Sequence, residues 1–323
     1  MPEELLKVEG LSKYYPVHGG LFLTKIGDVK AVDQVSFSIS PGDTMGCIGE
    51  SGSGKSVLLN LLVQMEKPTT GSIRFLGQEL KNMSADQLRE FHRQVSMVFQ
   101  DPVGSLHPRM TVGQQIGDPL LIHNLVGRRN LKDKVAQLLT AVGLDPEMAE
   151  RYPHQFSGGQ RQRIGIARAL ALTPKLILMD EPVSALDVSL AAQVINMLLD
   201  LQEEFHLTYF IIAHDMAVLR QICTKVGIMY AGRFVEYGSS EMIYSSPLHP
   251  YTRALLDAAP SLMRNLREEK STILPGESPD LSRLPKGCYF HPRCAFAQDI
   301  CRLAPPPQKL TESGHFVECH VFP

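Results

Sequence analysis

The chain alternates short apolar runs with stretches of helical periodicity over its first 240 residues. Short apolar runs bounded by turn residues predict buried strands, and apolar residues at helical spacing predict the helices between them. This alternation predicts an α/β fold with a mostly parallel core sheet. The predicted strands are Leu5–Val8, Val29–Val32, Gln34–Ile39, Thr44–Ile48, Ser72–Leu76, Val95–Phe99, Leu176–Met179, Thr208–Ala213, Lys225–Tyr230 and Arg233–Glu236, and the clearest helices are Val57–Met65 and Val188–Glu203.

Prolines become frequent after Ser240, which predicts two domains, residues 1–240 and a small proline-rich tail of residues 241–323. Lys and Arg total 32 against 34 Asp and Glu, so the charge gives no support to nucleic-acid binding. Uncharged stretches stay shorter than the ~18 residues of a membrane span. The first residues include Glu3 and Glu4 and lack an apolar signal core. We therefore expect a cytoplasmic chain that reaches a membrane only through a partner.

Between a predicted strand and a predicted helix, the chain fits the phosphate-loop pattern G-x-x-x-x-G-K-[ST]. Glycines let backbone N–H groups surround an anion, and the helix that follows adds its partial positive charge. Lys55 is expected to reach the β- and γ-phosphates of a nucleotide, and Ser56 to ligate Mg²⁺. A chance turn would rarely have both flanking elements. The loop consists of Gly49, Glu50, Ser51, Gly52, Ser53, Gly54, Lys55 and Ser56.

A second nucleotide element is the apolar run Leu176–Met179, which Asp180 and Glu181 follow. Asp180 is expected to hold Mg²⁺, and Glu181 to polarise the attacking water. Two acids that end a strand are more often a helix cap when they occur alone. Their pairing with a phosphate loop favours the catalytic interpretation.

Between these elements lies Phe156–Arg163, with the sequence FSGGQRQR. It resembles the signature sequence of the ATP-binding subunits of ABC transporters, which plain P-loop GTPases and helicases lack. Ser157, Gly158 and Gly159, with Gln160 beside them, make a second small-residue anion cradle at a helix start. In that family the cradle faces the γ-phosphate held by the other subunit. The resemblance therefore implies that two chains sandwich two ATP molecules.

Other motifs of this family occur in the expected order. Gln100 in VFQDP resembles the Q-loop residue, implied to contact the γ-phosphate side, Mg²⁺ and the membrane subunits. Asp187 in SALD resembles the D-loop residue at the dimer interface, and His214 the switch histidine that contacts the γ-phosphate. Tyr15 resembles the aromatic residue that stacks on adenine, with Tyr14 the less favoured choice. The resemblance implies an ABC-type nucleotide-binding domain with an antiparallel β subdomain and a helical subdomain.

The tail resembles the C-terminal extension of oligopeptide, dipeptide and nickel transporter ATPases, on Pro247–Thr252 with support from Glu150–Gln155 and the insert Val17–Asp28. This implies an importer ATPase that couples ATP hydrolysis to di- or oligopeptide uptake at the cytoplasmic face of the membrane. The implied partners are a companion ATPase, usually non-identical, two transmembrane permeases and an extracytoplasmic binding protein.

Three alternatives stay open. The same machinery could import nickel or another small solute, because specificity lies in other chains. A soluble ABC ATPase of DNA repair or translation is the second, although those proteins generally carry two nucleotide domains or an inserted coiled coil. The third is an ATPase fused to a nucleic-acid-binding zinc module, although the tail lacks a basic helix with interleaved aromatic residues.

The six cysteines are unevenly placed. Cys47 and Cys223 stand in apolar surroundings and are predicted to be small buried side chains. The other four crowd into the tail, which in a reducing compartment suggests a metal site before disulfides. Five, six and seventeen residues separate them (289–293, 295–300, 302–318), which fits structural zinc poorly and differs from both ferredoxin spacings. These four are Cys288, Cys294, Cys301 and Cys319.

The tail cysteines have three interpretations: a [4Fe–4S] cluster, zinc with His315 or His320 as an additional ligand, or plain buried thiols. Plain thiols are the weakest, because a small proline-rich module buries little core and usually needs a metal or cross-link. The segment from Gly287 to Cys294 resembles peptide-importer ATPases that hold an iron–sulfur cluster. We predict [4Fe–4S] in a structural or redox-sensing role, away from the ATP site.

Overall fold

The computed structural model describes residues 4–19, 24–101, 104–258, 276 and 278–321. No helix within these ranges is long and apolar enough to cross a membrane. The strands are β1 (Leu6–Gly19), β2 (Thr24–Ile39), β3 (Thr44–Ile48), β4 (Thr70–Phe75), β5 (Gln78–Glu79), β6 (Val95–Val98), β7 (Leu176–Asp180), β8 (Thr208–Ala213), β9 (Lys225–Tyr230), β10 (Arg233–Ser239), β11 (Gln308–Leu310) and β12 (Phe316–Glu318). The helices are α1 (Lys55–Leu62), α2 (Ala85–Gln94), α3 (Val112–Ile122), α4 (Leu131–Ala141), α5 (Gly158–Leu170), α6 (Val188–Phe205), α7 (Met216–Ile222), α8 (Ser240–Ser245), α9 (Pro250–Asp257) and α10 (Asp299–Leu303).

The chain forms two compact units. The first contains residues 1–82 and 212–323, and the second contains residues 83–211. Strand β8 runs across the boundary between the two segments of sequence. The phosphate loop and the tail after residue 240 therefore belong to the same unit.

The first unit contains an antiparallel sheet with the strand order β2-β1-β4-β5. β1 and β2 are long, pairing from Leu6 opposite Ile39 to Gly19 opposite Thr24. The short separate strands predicted for this region are wrong. The apolar pattern of β1 and β2 is interrupted because the register shifts at several points along the pair. Each shift exchanges inward and outward positions while the backbone pairing continues.

A second set of strands in this unit lies in the order β11-β12-β10-β9-β3. β3 is buried throughout and pairs in parallel with β9, Met45 lying opposite Lys225. β9 and β10 pair antiparallel, and β12 from the end of the chain pairs antiparallel with β10, with Glu236 opposite Val317. The tail thus continues the strand set that contains β3, the strand preceding the phosphate loop.

The second unit combines the parallel pair β6 and β7, with Val95 opposite Leu176, and a group of helices. Buried apolar side chains of α3, α4 and α5 form its helical core, as expected for helices with one apolar stripe. Three helices of this unit, α2, α3 and α5, start with the same device, in which a hydroxyl and a glutamine side chain cap each other's backbone N–H groups. The pairs are Ser84 with Gln87, Thr111 with Gln114, and Ser157 with Gln160.

Candidate functional site

Residues 49–54 form a tight loop between β3 and α1, and the last two residues of the phosphate-loop pattern, Lys55 and Ser56, start α1. A Cβ atom added to Gly49 would lie 2.1 Å from the Met229 carbonyl oxygen, and one added to Gly54 would lie 2.0 Å from the Ala31 carbonyl oxygen. Gly54 also has a φ of 105°, in the left-handed region that favours glycine. The loop is therefore fixed in a curl that these two glycines make possible, as a phosphate cradle requires.

Lys55 opens α1, and its side chain folds back into the loop. Its Nζ donates to the Gly49 carbonyl at 2.7 Å, to the Glu50 carbonyl at 2.9 Å and to Ser53 Oγ at 3.4 Å. The lysine is 5% exposed, whereas the next residue, Ser56, is exposed. A buried ammonium within a glycine-rich curl fits the phosphates of a nucleotide, and the accessible Ser56 hydroxyl fits a Mg²⁺ ligand.

Tyr15 lies on β1 in the same unit and is half-buried. Its hydroxyl donates to the Glu66 carboxylate, and Lys13 Nζ lies 5.0 Å from its ring centroid. Burial, followed by the Glu66 carboxylate, raises the pKa of Tyr15 to about 12, so its phenol stays neutral. The neighbouring Tyr14 donates instead to Asp33. The two tyrosines therefore have different partners, and the adenine-stacking role of Tyr15 stays a prediction.

The tail contacts the phosphate loop directly. The Glu50 carboxylate accepts hydrogen bonds from Arg293 Nη1 at 2.6 Å, from Arg293 Nη2 at 2.9 Å and from Ser278 Oγ at 2.7 Å. The backbone N–H of Glu50 donates to the Tyr251 hydroxyl at 2.9 Å. These partners could not be predicted from the sequence, because Glu50 and Arg293 lie 243 positions apart and no local pattern marks the pair. Arg293 directly precedes Cys294, so the cysteine segment adjoins the phosphate loop, whereas we expected it away from the ATP site.

In the second unit, Asp180 ends β7 and Glu181 follows it, and both are largely buried. Glu181 has a φ of 48°, an uncommon backbone conformation for a non-glycine residue that is often found at functional sites. Gln100 Nε2 donates to Glu181 Oε2 at 2.7 Å. The predicted water-polarising acid and the predicted Q-loop glutamine therefore meet.

The signature loop starts α5 in the same unit. Ser157 Oγ accepts the Gln160 N–H at 3.3 Å, and Gln160 Oε1 accepts the Ser157 N–H at 3.0 Å. Ser157 and Gly158 are exposed, whereas Gly159 is buried. The predicted cradle is therefore an accessible helix N-terminus whose shape is set by its own residues.

The remaining predicted residues lie at the ends of regular elements. Asp187 caps α6, with its Oδ1 accepting the Leu190 N–H at 3.0 Å, and it is exposed. His214 directly follows β8 and is also exposed. Both positions suit residues that act at a surface, and their roles stay predictions.

Cys47 and Cys223 are buried, as predicted. Burial raises the pKa of the Cys223 thiol, which keeps it protonated. In the tail, Cys301 and Cys319 are buried and Cys288 is half-buried.

The structure does not support the predicted metal site in the tail. Within the described part of the chain, no group of three or more His, Cys, Asp or Glu side chains is arranged to hold a metal ion. Burial, reinforced by the neighbouring tail thiols, raises the pKa of Cys288 to about 11, although the Phe290 N–H opposes the shift. Cys288 is therefore close enough to the other three tail cysteines to be influenced by their charge, and its burial favours the neutral thiol.

Both histidines considered as additional zinc ligands have other partners. His315 Nε2 lies 2.8 Å from Glu236 Oε1, and His320 Nε2 lies 3.0 Å from the Ala304 carbonyl oxygen. These partners argue against either histidine as the additional ligand that the zinc interpretation requires.

Comparison with known proteins agrees with these motifs. Residues 32–184 match the family model of the ABC transporter, and residues 235–301 match that of the oligopeptide/dipeptide transporter C-terminal region. The oligopeptide transport ATP-binding protein AppF of Bacillus subtilis is 50% identical over 322 residues, covering 99% of this chain and 98% of that protein. The di/tripeptide transport ATP-binding protein DppF of Pseudomonas aeruginosa is 46% identical, covering 98% of each chain.

Solved structures share the fold. The ATP-binding cassette MJ0796, in a dimeric post-hydrolysis state bound to ADP and Pi, has a TM-score of 0.64 and 28% identity, covering 73% of this chain and 98% of that one. The cbiO1 protein of Clostridium perfringens has a TM-score of 0.65, covering 76% of this chain and 92% of that one. The predicted ABC-type α/β nucleotide-binding fold is thereby confirmed. On its motifs, fold and full-length relatives, the chain belongs to the ATP-binding subunits of ABC transporters, in the oligopeptide/dipeptide family.

Proposed function

We propose that this chain is the ATP-hydrolysing subunit of an ABC importer and couples ATP binding and hydrolysis to uptake of di- and oligopeptides across the cytoplasmic membrane. The observation that carries the proposal is the glycine-curled phosphate loop with Lys55 buried inside it. Support for peptides as the transported substrate comes from full-length relatives that are named as oligopeptide and di/tripeptide transport proteins.

In this proposal the loop N–H groups and Lys55 hold the phosphates, while Ser56, Asp180 and Gln100 serve the Mg²⁺ ion. Mg²⁺, when bound, neutralises charge on the phosphates. Glu181 accepts the proton of the attacking water, and the hydrogen bond from Gln100 supports its orientation.

Two further residues complete the nucleotide contacts. His214, exposed after β8, contacts the γ-phosphate, and the ring of Tyr15 stacks on adenine. The hydrogen bond from the Tyr15 hydroxyl to Glu66 supports that role by fixing the ring.

We further propose that the signature residues Ser157–Gln160 and Asp187 act across a dimer, on nucleotide held by a companion ATPase. Their exposure supports this arrangement, as does the fold shared with the dimeric MJ0796 cassette. The assembly would include two transmembrane permeases and an extracytoplasmic binding protein, and the chain would lie at the cytoplasmic face of the membrane.

Reconstitution of the chain with its companion ATPase and permeases in vesicles tests the proposal. We expect ATP hydrolysis that increases when binding protein and peptide are added, together with peptide accumulation. The chain alone should hydrolyse ATP poorly, because its signature loop then serves no second nucleotide. Full activity at every concentration of the isolated chain would contradict the dimer, and stimulation by nickel but not by peptide would contradict the substrate.

The iron–sulfur cluster is a separate proposal that rests on resemblance and on the proximity of the four tail thiols. Burial raises the thiol pKa of both Cys288 and Cys294, and the hydrogen-bonding N–H groups of Phe290 and Phe296 respectively oppose that rise. Protein purified without oxygen should be brown and contain about four irons per chain. Colourless protein with one zinc would contradict the cluster, and metal-free protein with a folded tail would favour plain thiols.

A further inference from the structure

Glu50 carries a negative charge inside a loop that has to accept negatively charged phosphates. It occupies the second position of the phosphate loop, and its carbonyl oxygen accepts the Lys55 ammonium at 2.9 Å. An unpaired carboxylate at this position would repel a nucleotide, because charges at this range interact strongly where water is partly excluded. The loop therefore needs a positive partner for Glu50.

Arg293 is that partner. Its two terminal nitrogens bind the two Glu50 carboxylate oxygens, at 2.6 and 2.9 Å, in the paired geometry that an arginine and a carboxylate favour. The Arg293 side chain is 8% exposed and that of Glu50 is 26% exposed, so the pair is only weakly screened by solvent. The hydrogen bonds from Arg293 lower the pKa of Glu50 although its burial opposes the shift.

An aromatic cluster fixes Arg293 in this position. Its guanidinium lies 5.9 Å from the Tyr230 ring centroid, and its backbone N–H donates to the Phe290 carbonyl at 3.0 Å. The Tyr230 ring packs against Tyr251 at 4.8 Å and against Phe290 at 5.2 Å between centroids. Tyr251, which accepts the Glu50 N–H, therefore belongs to the same rigid group.

We propose that Arg293 and Tyr251 form a clamp that positions the phosphate loop and neutralises Glu50, so that tight nucleotide binding requires the docked tail. This inference rests on the proposed function as an ATPase and deepens it. Both residues are positioning residues, because they act on nucleotide through Glu50. The clamp ties the nucleotide site to the cysteine segment, since Arg293 lies next to Cys294.

Calorimetric titration of the full chain with ADP and with ATP plus Mg²⁺ tests the clamp. R293Q should raise the Kd for nucleotide about tenfold, within the range of coupling seen in charged networks. R302Q is the matched control, because Arg302 is an exposed arginine of the same tail. It should leave the Kd unchanged. The double variant E50Q/R293Q should return to within about threefold of wild type, since the repelling charge is gone.

In the assembled transporter, R293Q should raise the KM for ATP while kcat stays within about twofold, because the clamp touches neither the water nor Glu181. R293K should lie between R293Q and wild type, since lysine restores the charge without the paired geometry. Y251F should raise the Kd by a smaller factor than R293Q, about threefold.

The outcomes separate the inference from the function on which it rests. If wild type does not bind ATP, the proposed function is wrong. If wild type binds and R293Q matches R302Q, the clamp is wrong. A weakened R293Q that E50Q does not rescue indicates a structural effect alone and also overturns the clamp. If R293Q loses its cooperative thermal transition, R293K and Y251F are compared with R302Q by the same criteria.

Discussion

The phosphate loop and the signature loop are both small-residue loops at a helix N-terminus, yet they are held in different ways. The phosphate loop encloses a lysine that is 5% exposed, and Glu50 joins it to side chains that lie far away in sequence. The signature loop keeps Ser157 and Gly158 exposed, and a serine–glutamine pair within the loop sets its shape.

In the proposed mechanism, this difference lets the same pattern of small residues serve two tasks. A loop that holds its own nucleotide benefits from fixed neighbours, because preorganised donors need no rearrangement when the anion binds. A loop that meets a nucleotide held elsewhere has to stay accessible while keeping its N–H groups aligned. Capping by residues of the loop itself provides that alignment and leaves the loop exposed.

The largest expected effect comes from the phosphate loop. Lys55→Ala removes the buried ammonium that donates to the Gly49 and Glu50 carbonyls, so it should weaken ATP binding and lower kcat/KM by about a thousandfold. Equilibrium binding and steady-state hydrolysis in the assembled transporter measure the two effects. Lys67→Ala, at an exposed lysine, is the control. Retained tight binding by Lys55→Ala would remove the basis for treating this loop as the nucleotide site.

A smaller effect is expected at Glu181, which belongs to neither loop. Glu181→Gln should keep ATP binding and lower turnover about a hundredfold, because the amide cannot accept the proton of water. The companion variant Gln100→Ala should lose less turnover, since it removes the hydrogen bond to Glu181 and not the acid. Single-turnover kinetics separate binding from chemistry. Near-normal hydrolysis by Glu181→Gln would redirect the assignment to His214.

Acid should loosen the phosphate loop and leave the signature loop unaffected. Complete burial, opposed by Glu236, lowers the pKa of His249 from 6.5 to about 4. Its Nδ1 accepts the Tyr251 N–H at 3.1 Å at the start of α9, the helix that carries the clamp tyrosine. As pH falls from 6.5 towards 4, His249 becomes protonated in the unfolded chain but stays neutral in the folded chain. The folded state therefore loses stability in that pH range.

The loss should reach at most about 3 kcal/mol near the acid end of the window. Thermal unfolding at about pH 7.5 and about pH 5 measures it, with nucleotide Kd recorded at each pH. His249→Asn is the matched variant, because asparagine can accept the same capping bond without titrating. A pH dependence that persists unchanged in His249→Asn would assign the effect to another group.

The same contrast explains what sequence analysis could predict. β3, β7 and the phosphate loop were predicted because apolar runs, glycine positions and charged termini are local properties. The true lengths of β1 and β2 were not, since register shifts in pairing hide the alternation. The Arg293–Glu50 pair was also missed, because two residues 243 positions apart share no pattern that one sequence can reveal. The four tail cysteines predicted a metal group that the described side chains do not form.

The smallest expected effect separates the role of Ser157 in the signature loop from its role as a helix cap. Ser157 and Ser84 cap α5 and α2 with the same hydrogen bond, in which serine Oγ accepts a glutamine N–H at 3.3 Å. Replacing either serine by alanine should therefore cost about 1 kcal/mol of stability, measured by denaturant unfolding. Both variants should bind ATP like wild type as single chains, because the phosphate loop is intact. In the assembled transporter only Ser157→Ala should lose turnover beyond its stability cost, since only that serine belongs to the signature loop. Equal turnover in the two variants would mean that Ser157 is a helix cap and nothing more.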